Sequence, residues 1–245
     1  MNERYFKEAD RRDPRLRIRS MLSRSIKIGD PKIVRTWNLP IQTTCLKHGL
    51  ASQVCSSRCY AWNMTRPGKD DLKSRNTRER AERNWAIVQR DDFTLLMIGA
   101  ICRYRVSHFR PHDFGEFFSE RYIRQWVHIV STLRFVNFWM YTRAWVKPEW
   151  RDALDELVTL PNISVLFSTD RTMPPPPAEV DEAWLADTDE DVPVRPNATC
   201  VVFRGHAWRY SVPLPQMMRV PVCPPESGRE HLLKRRCVKC RICLP

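Results

Sequence analysis

Apolar residues in the middle of the chain follow two alternating patterns, one of helical period and one of short continuous runs. The helical pattern predicts four helices, which span 76–90, 92–105, 119–134 and a segment that begins at Pro148. The continuous runs predict four strands, at 106–110, 136–141, 163–168 and 199–203. Strands that alternate with helices indicate a parallel sheet with helices packed on it, so the pattern predicts an α/β fold.

Four local expectations accompany this pattern. Pro40 favours an extended chain over Thr36–Thr44, because it removes a backbone donor and disfavours helical geometry at the residue before it. Asp92 is expected to cap the helix that follows it. Val158 is expected on the buried face of the helix after Pro148. The run Met173–Pro177 interrupts the alternation and begins an acidic segment.

A partial or irregular (β/α) barrel fits this order better than an open, doubly wound sheet. No G-x-G-x-x-G or P-loop motif follows any predicted strand. We expect three parts: a basic N-terminal arm (1–34), a barrel-like domain (35–222) that includes a cysteine loop (45–60), and a cysteine-rich tail (223–245). A chain of 245 residues is long enough to bury a full core.

The charge of the chain is strongly positive and unevenly placed. Lys and Arg number 41 against 28 Asp and Glu, a formal net charge of +13. Basic residues concentrate at both ends, whereas 179–191 holds seven acids and no base. Clustered cations attract phosphates, so we expect a nucleic-acid partner, with DNA favoured over RNA and a solvated basic surface as the alternative. No apolar run approaches the ~18 residues of a membrane span, so no membrane contact is expected.

Four of the nine cysteines close the chain as C-x13-C-x2-C-x2-C, namely Cys223, Cys237, Cys240 and Cys243. Thiolates at two-residue intervals can surround one metal centre, as in the C-x2-C-x2-C run of bacterial-type ferredoxins. We therefore expect a 4Fe-4S cluster in this tail, with zinc as the alternative. A disulfide framework has little support, because the chain starts without an apolar signal segment and cytosolic thiols stay reduced.

A second group, Cys45, Cys55 and Cys59, has C-x9-C-x3-C spacing and precedes Tyr60. Three thiolates leave one iron of a cubane without a protein ligand, and an open iron could bind S-adenosylmethionine and cleave it reductively to give a radical. The usual loop for that chemistry is C-x3-C-x2-C, however. A closed, structural iron–sulfur or zinc site, completed by a further histidine or cysteine, is the alternative. Cys102 lies in an apolar helical stripe and is expected to be a buried thiol.

Polar residues follow three consecutive predicted strands, where the reactive groups of α/β barrels lie. The candidates for catalysis are His112, Asp113, Glu116 and Asp170. The candidates for cofactor binding are Tyr60, Thr142, Arg143 and Ser168. Gly115 predicts a tight turn that aims the carboxylates beside it. Structural roles are the alternative, in which Asp113 and Ser168 cap helices and Arg143 pairs with a surface acid.

The order of several segments resembles that of the gene product 88 family of phages and mobile elements. The resemblance rests on KIGDPKIVRTWNLPIQTTC, C-x3-CYA, RPHDFGEF, FWMYTRAW, LPNISVLFSTD, a proline run and the final C-x2-C-x2-C, and covers roughly residues 26–245. The family usually shows HDSGDF, so Phe114 and Glu116 depart from its pattern. The resemblance implies phage origin, a cytoplasmic location in an infected bacterial host and an iron–sulfur barrel, but no substrate.

Three functions are compatible with these residues. The first is an iron–sulfur enzyme of the radical S-adenosylmethionine kind that modifies a nucleic-acid base, with one cluster at each cysteine group. The second is a base-exchanging transglycosylase, for which Asp113 and Asp170 would supply the nucleophile and the acid–base group. The third is a non-catalytic nucleic-acid-binding protein whose metal only joins the ends of the chain.

Overall fold

Six parallel strands form one sheet whose spatial order follows the chain, so that each strand pairs with the next. The strands are β1 (Val34–Trp37), β2 (His108–Pro111), β3 (Asn137–Thr142), β4 (Ile163–Thr169), β5 (Glu182–Ala186) and β6 (Cys200–Arg204). They belong to a computed structural model that describes residues 3–14, 18–24, 32–66, 68–69, 71–186, 200–204 and 243–245. The predicted α/β class and parallel sheet are confirmed.

The predicted helices are present, with ends that differ by a few residues. The described helices are α1 (Glu3–Arg12), α2 (Gln53–Arg58), α3 (Tyr60–Thr65), α4 (Leu72–Val88), α5 (Phe93–Arg103), α6 (Glu120–Thr132) and α7 (Arg151–Val158). Ser119 is the N-cap of α6, and its hydroxyl accepts a hydrogen bond from the Tyr122 N–H at 3.2 Å. None of these helices is long and apolar enough to cross a membrane.

Three helices share one face of the sheet. When parallel strands follow one another in order, right-handed connections place the helices on the same side. The largest cluster of buried residues accordingly joins α5, α6 and α7 to alternate strand residues such as Phe109, Phe138 and Val165. The face of α6 that the sequence predicts to be apolar, with Tyr122 and Trp126, is buried in this cluster.

The sheet is open over the described residues, because β1 and β6 form its two edges and no pairing joins them there. Closure into a barrel is therefore not confirmed. The face opposite the helices is apolar and includes Trp139, Tyr141 and Leu166. Cys243 and Leu244 pack against this face, so the described end of the predicted tail returns to the sheet.

Strand β5 lies in a segment for which the sequence predicts no strand. Its acidic surroundings conceal the pattern, since Glu182 begins the strand and further acids stand on both sides of the four apolar residues that follow it. Parallel pairing of Phe167 with Glu182 and of Thr169 with Trp184 places this segment beside β4. The next predicted strand, at 199–203, is confirmed as β6.

The expectation of an extended chain over Thr36–Thr44 is wrong for its second half. The chain is extended as far as Pro40, and Gln42–Leu46 then forms a π-helical turn. The Thr44 hydroxyl donates to the Pro40 carbonyl at 2.8 Å, which stabilises the start of this turn. Proline restricts the residue before it but leaves the residues after it free to be helical.

Three further local expectations are wrong. Asp92 precedes α5 but makes no side-chain cap, because both of its carboxylate oxygens accept from the Arg90 guanidinium, at 2.7 and 2.8 Å. Val158 is 37% exposed, since it ends α7 and turns away from the core. Cys102 is exposed rather than buried, because it lies on the outer side of α5.

The described part of the predicted basic arm packs on the core. Phe6, Ile18 and Met21 belong to the largest buried cluster. Ser23 and Thr36 exchange two backbone hydrogen bonds, of 2.8 and 3.0 Å, which add an antiparallel bridge to the edge strand β1. The N-terminal segment is therefore integrated with the α/β unit where it is described.

The chain after β1 and the loop after β2 interlock at Gly115. Gly115 has φ +86°, and a Cβ there would lie 2.7 Å from the Leu39 carbonyl oxygen and 2.8 Å from the Leu39 Cβ. The Leu39 N–H donates to the Phe114 carbonyl at 3.3 Å, and the Asn38 side chain accepts from the Phe114 N–H at the same distance. Only glycine permits this close approach.

We predict that Gly115→Ala destabilises the protein more than Gly49→Ala. Both glycines have positive φ, but a Cβ at Gly49 meets no atom within 4 Å, so that variant isolates the backbone strain. Strain alone costs about 1 kcal/mol, and the overlap at Gly115 adds roughly 2 kcal/mol more. Chemical denaturation measures both free energies of unfolding. Equal losses in the two variants would show that the contact with Leu39 is unimportant.

Candidate functional site

A cavity of about 250 Å³ opens at the carboxyl edge of the sheet, where the loops after β1, β2 and β3 meet. We call it the thiol cavity, because three cysteines lie in its wall. Its lining includes Ile41, Cys45, Leu50, Cys55, Arg58, Cys59, Tyr60, Arg110, His112, Asp113, Glu116, Tyr141, Arg143, Ser168, Leu185 and Phe203. Three arginines and two carboxylates thus face the same space as the thiols.

The three cysteines occupy different points of the segment that follows β1. Cys45 lies in the π-helical turn, Cys55 in the first turn of α2, and Cys59 between α2 and α3. The Cys59 sulfur accepts a hydrogen bond from the Trp62 N–H at 3.3 Å and so caps α3. None of the three forms a disulfide, so the segment presents three free thiols to one cavity.

The surroundings of these thiols favour their protonated form. Burial raises the pKa of Cys45, and the negative charge of Glu116 raises it further. Burial also raises the pKa of Cys55, although the positive charge of Arg143 opposes this effect. A positively charged centre in the cavity would lower both pKa values and favour the thiolates.

The donor set suits an iron–sulfur or zinc centre chemically, because thiolates are common ligands of both. The positions of the side chains, however, do not match those of the ligands around one metal centre. Over the ranges that the structure describes, no three His, Cys, Asp or Glu side chains lie together as they would around a metal ion. Binding one centre would therefore require the thiols to draw closer. Metal binding by Cys223, Cys237 and Cys240 stays a prediction, because these residues lie outside the described ranges.

His112 is a buried, neutral histidine at the end of β2. Its backbone has φ +56°, and its N–H donates to the Trp37 carbonyl at 2.8 Å. Its Nε2 hydrogen-bonds the Tyr122 hydroxyl at 2.9 Å. Burial, with a smaller effect of Arg110, lowers the pKa of His112 to about 3, so the ring carries no charge at neutral pH. A structural role or hydrogen bonding to a ligand fits this environment better than proton transfer.

Asp113 is held at the mouth of the thiol cavity by two neighbours. The Arg110 guanidinium pairs with its carboxylate at 3.0 Å, and Arg110 also stacks on the Tyr141 ring at 4.8 Å. The Tyr60 hydroxyl donates to the Asp113 backbone carbonyl. Tyr60 therefore joins the cysteine-bearing segment to the loop after β2.

Glu116 is buried at the base of the cavity and accepts three hydrogen bonds. The donors are the Thr142 hydroxyl at 2.7 Å, the Arg143 N–H at 2.7 Å and the Phe117 N–H at 2.8 Å. These donors and the Arg143 charge favour the ionised carboxylate, but burial outweighs them and raises the pKa of Glu116 to about 7. Glu116 can therefore exchange a proton near neutral pH.

Arg143 and Asp170 form an ion pair that is almost wholly buried. The Arg143 Nη1 lies 2.9 Å from the Asp170 carboxylate, which is fully buried. Asp170 also accepts from the Ser52 hydroxyl and from the Thr172 hydroxyl and N–H. Burial alone would raise the pKa of Asp170, but these hydrogen bonds and the Arg143 charge lower it overall. Ser52 also caps α2 by accepting from the Cys55 N–H at 3.0 Å, so Asp170 fixes the helix that carries Cys55.

Most of the predicted site residues meet in the thiol cavity. Those that line it are Cys45, Cys55, Cys59, Tyr60, His112, Asp113, Glu116, Arg143 and Ser168. Thr142 and Asp170 do not line the cavity; they lie behind it and hold Glu116 and Arg143. Cys243 lies on the sheet face and packs against the same buried clusters as Tyr141, a residue of the cavity wall.

Three residues of the site escape prediction from the sequence. Arg110 is a strand residue without a motif, and its contact with Asp113 depends on the positive φ at His112. Thr44 accepts from the Glu116 N–H at 3.1 Å, a contact between segments 72 residues apart. Ser52 carries the only sequence signal among the three, because serine is a common helix cap and stands three residues before Cys55.

The fold and the site together define an α/β protein whose open parallel sheet carries a thiol-lined cavity at its carboxyl edge. The family profile described as Gene product 88 matches residues 15–245. The chain belongs to this family, and the match begins earlier than the resemblance at residue 26 indicates. No curated protein and no solved structure matches the chain.

We predict that Glu116 makes stability fall as pH rises through neutrality. The folded protein keeps the Glu116 proton up to about pH 7, whereas the unfolded chain releases it near the ordinary value of 4.5. The folded state therefore binds more protons between these values, and the free energy of unfolding should drop by roughly 3 kcal/mol from pH 5 to pH 8. Glu116→Gln should remove this drop, whereas the exposed control Glu149→Gln should keep it. Chemical denaturation at pH 5 and pH 8 measures this drop in the wild type and both variants. The same pH dependence in all three proteins would contradict the assignment to Glu116.

Proposed function

We propose that the chain is an iron–sulfur enzyme in which Cys45, Cys55 and Cys59 hold a 4Fe-4S cluster at the thiol cavity, and that its substrate is a nucleic-acid base. One observation carries the proposal. Three free thiols from one segment line a single cavity at the carboxyl edge of a parallel sheet, together with Glu116 and Arg143. Reactive groups of α/β barrels collect at this edge.

Three protein ligands would leave one iron of the cluster available to a small molecule. If S-adenosylmethionine bound at this iron, the cluster would supply the electron for its reductive cleavage. The residues of the cavity provide complementary charges for the amino acid end of such a molecule. The Glu116 carboxylate suits an ammonium group, and the Arg143 guanidinium suits a carboxylate.

Arg143 retains donors for this role. Its Nη1 is engaged by Asp170 and by the Met173 sulfur, and its other guanidinium N–H groups have no partner among the described residues. Asp170 thus sets the orientation of the side chain without using all of its donors. A fixed arginine in a water-poor cavity is a specific carboxylate site, since its planar fork is pre-organised.

A partial barrel is the architecture that we propose around this site. A parallel sheet wound in sequential order carries its helices outside and leaves its inner face to a central cavity. The inner face is lined by Tyr141 and Phe203, whose rings meet edge to face at 5.0 Å, and both residues border the thiol cavity. The packing of Leu244 against this face supports a fold in which the end of the chain covers the interior.

The proposed partner is nucleic acid, with DNA favoured over RNA. A net charge of +13 favours polyanions, and aromatic side chains in the cavity can stack on a base. The resemblance to phage sequences extends the proposal to a role in the cytoplasm of an infected bacterium. Tyr60, which is exposed and lines the cavity, is a further aromatic group there, and Trp62 is exposed on the same helix.

A structural metal site is the second candidate, and Cys243 favours it. Cys243 packs against the same buried sheet residues as Tyr141 and Phe203, which line the thiol cavity, so Cys243 lies on the region of the sheet that borders this cavity. A centre closed by a C-terminal cysteine would hold the ends together without an open position. The transglycosylase has less support, because Asp170 is fully buried behind the cavity wall.

Anaerobic purification with analysis of iron, sulfide and zinc, and EPR of the reduced protein, tests the proposal. The wild-type protein should contain iron and sulfide, and Cys55→Ser should lose the iron of one cluster and its EPR signal. Cys240→Ser should lose the other cluster or its zinc. Cys102→Ser is the matched control, because Cys102 is a free, exposed cysteine that does not line the thiol cavity.

Addition of S-adenosylmethionine separates the two candidates. An open cluster should shift its EPR signal on binding and release 5′-deoxyadenosine under reducing conditions, and Cys55→Ser should do neither. Zinc in place of iron, or a cluster that neither responds to S-adenosylmethionine nor cleaves it, would reject the enzyme and leave the structural site.

A further inference from the structure

A second cavity, of about 580 Å³, lies on the other side of the loop that follows β2. It is bordered by α4, residues 23–24 and the edge strand β1. We call it the arginine cavity, because Arg24 and Arg80 line it together with Lys73. Asp113 and Phe114 line both cavities and form their common wall.

The arginines around this cavity have no acidic partner in the described part of the chain. Arg80 reaches only the Ser23 hydroxyl, at 3.3 Å, and its buried Nε has no hydrogen-bond partner there. Arg35, which lies outside the lining but within reach of the Arg24 charge, stacks on the Tyr104 ring at 4.6 Å, and its buried Nε is likewise unpartnered among the described residues. By contrast, Arg143 has a carboxylate within 3 Å.

These guanidinium groups repel one another in a partly water-excluded setting. Burial lowers the pKa of Arg35 and of Arg80, and the positive charge of Arg24 lowers each further. The remaining neighbour that affects them, Tyr104, is a phenol rather than a carboxylate. Arg80 is half-buried and Arg24 exposed, and partly shielded cations gathered without an acid favour an anion, which a ligand would supply.

Neutral donors complete the set of groups that a phosphate needs. Thr36 is 1% exposed and lines the arginine cavity, and its Oγ1 has no hydrogen-bond partner over the described ranges. Ser23, Asn76 and Thr77 contribute further hydroxyl and amide groups to the lining. The carboxylate at the border, Asp113, is already paired with Arg110 at 3.0 Å.

We infer that the arginine cavity binds a phosphate group, carried either by a nucleic-acid backbone or by a free nucleotide. Arginine is the side chain best suited to phosphate, because its planar fork donates two parallel hydrogen bonds to two oxygens. The inference goes beyond the metal centre proposed above and does not rest on it. Since Asp113 and Phe114 separate the two cavities, a nucleotide held by its phosphate in one can extend towards the other.

Inorganic phosphate and two variants test the site directly. Calorimetric titration of the full chain with phosphate, in chloride buffer of constant ionic strength, should detect binding to the wild type. Arg80→Gln should weaken it by roughly tenfold to a hundredfold, because a charge-assisted hydrogen bond is lost. Arg75→Gln, an exposed change of the same charge on the same helix outside the cavity, should leave it unchanged. Arg24→Gln provides a second cavity variant if Arg80→Gln folds poorly.

A short single-stranded oligonucleotide and a nucleoside monophosphate identify the source of the phosphate. If a backbone phosphate occupies the site, Arg80→Gln should weaken oligonucleotide binding and reduce its salt dependence by about one phosphate, a slope change of about 0.7, relative to Arg75→Gln. If a nucleotide occupies it, the monophosphate should lose affinity in Arg80→Gln while the oligonucleotide binds all variants alike. Both results support a phosphate site.

The inference is overturned if the wild type binds no phosphate group in any of these forms. It is equally overturned if Arg75→Gln and Arg80→Gln have the same effect, which would reveal a diffuse response to net charge. Iron, sulfide and zinc analysis of the same samples keeps this test separate from the proposed metal centre. Normal phosphate binding without iron would reject the cluster alone, and a normal cluster without phosphate binding would reject the arginine cavity alone.

Discussion

The structure around the thiol cavity depends on Arg143, a buried cation placed between two buried carboxylates. The Arg143 guanidinium pairs with Asp170 at 2.9 Å, and the Arg143 backbone N–H donates to the Glu116 carboxylate at 2.7 Å. These three residues follow β4, β3 and β2, so the interactions join the ends of three neighbouring strands. Through the hydroxyl of Ser52, Asp170 also holds the helix that carries Cys55. A buried charge without its partner is costly, so the strands and the cysteine-bearing segment are constrained together.

The loop after β2 divides this region into two chemically different spaces. On one side, thiols and carboxylates form a site in which a bound metal centre would favour the thiolate form of the cysteines. On the other side, Arg24 and Arg80 create a site that lacks an anion. The loop can serve as a wall because Gly115 lets it approach Leu39 closely. The proposed metal centre and an anionic substrate group would thus be separated by little more than the side chains of Asp113 and Phe114.

The sequence predicts the elements with strong periodicity and misses those set by tertiary contacts. Helix α6 and strands β3 and β4 follow from their apolar patterns. Strand β5 does not, because acidic residues surround it; the segment forms a strand because it pairs with β4. Five of the site residues, His112, Asp113, Glu116, Arg143 and Ser168, converge in the thiol cavity as their positions after the strands predict. Burial could not be predicted in the same way, so the sequence does not distinguish Asp170, enclosed by hydrogen bonds, from Asp113 at the cavity mouth.

A double-mutant cycle on Arg143 and Asp170 most directly tests whether this ion pair organises the strand ends. The free energy of unfolding should fall by about 3 kcal/mol in Arg143→Gln and in Asp170→Asn alone, because each leaves a buried charge unpaired. The double variant should lose clearly less than the sum, with a coupling above 1 kcal/mol, whereas the exposed pair Arg151 and Asp155 should show about 0.5 kcal/mol or less. Losses at Arg143 and Asp170 that add to within about 0.5 kcal/mol would contradict the role given to this pair.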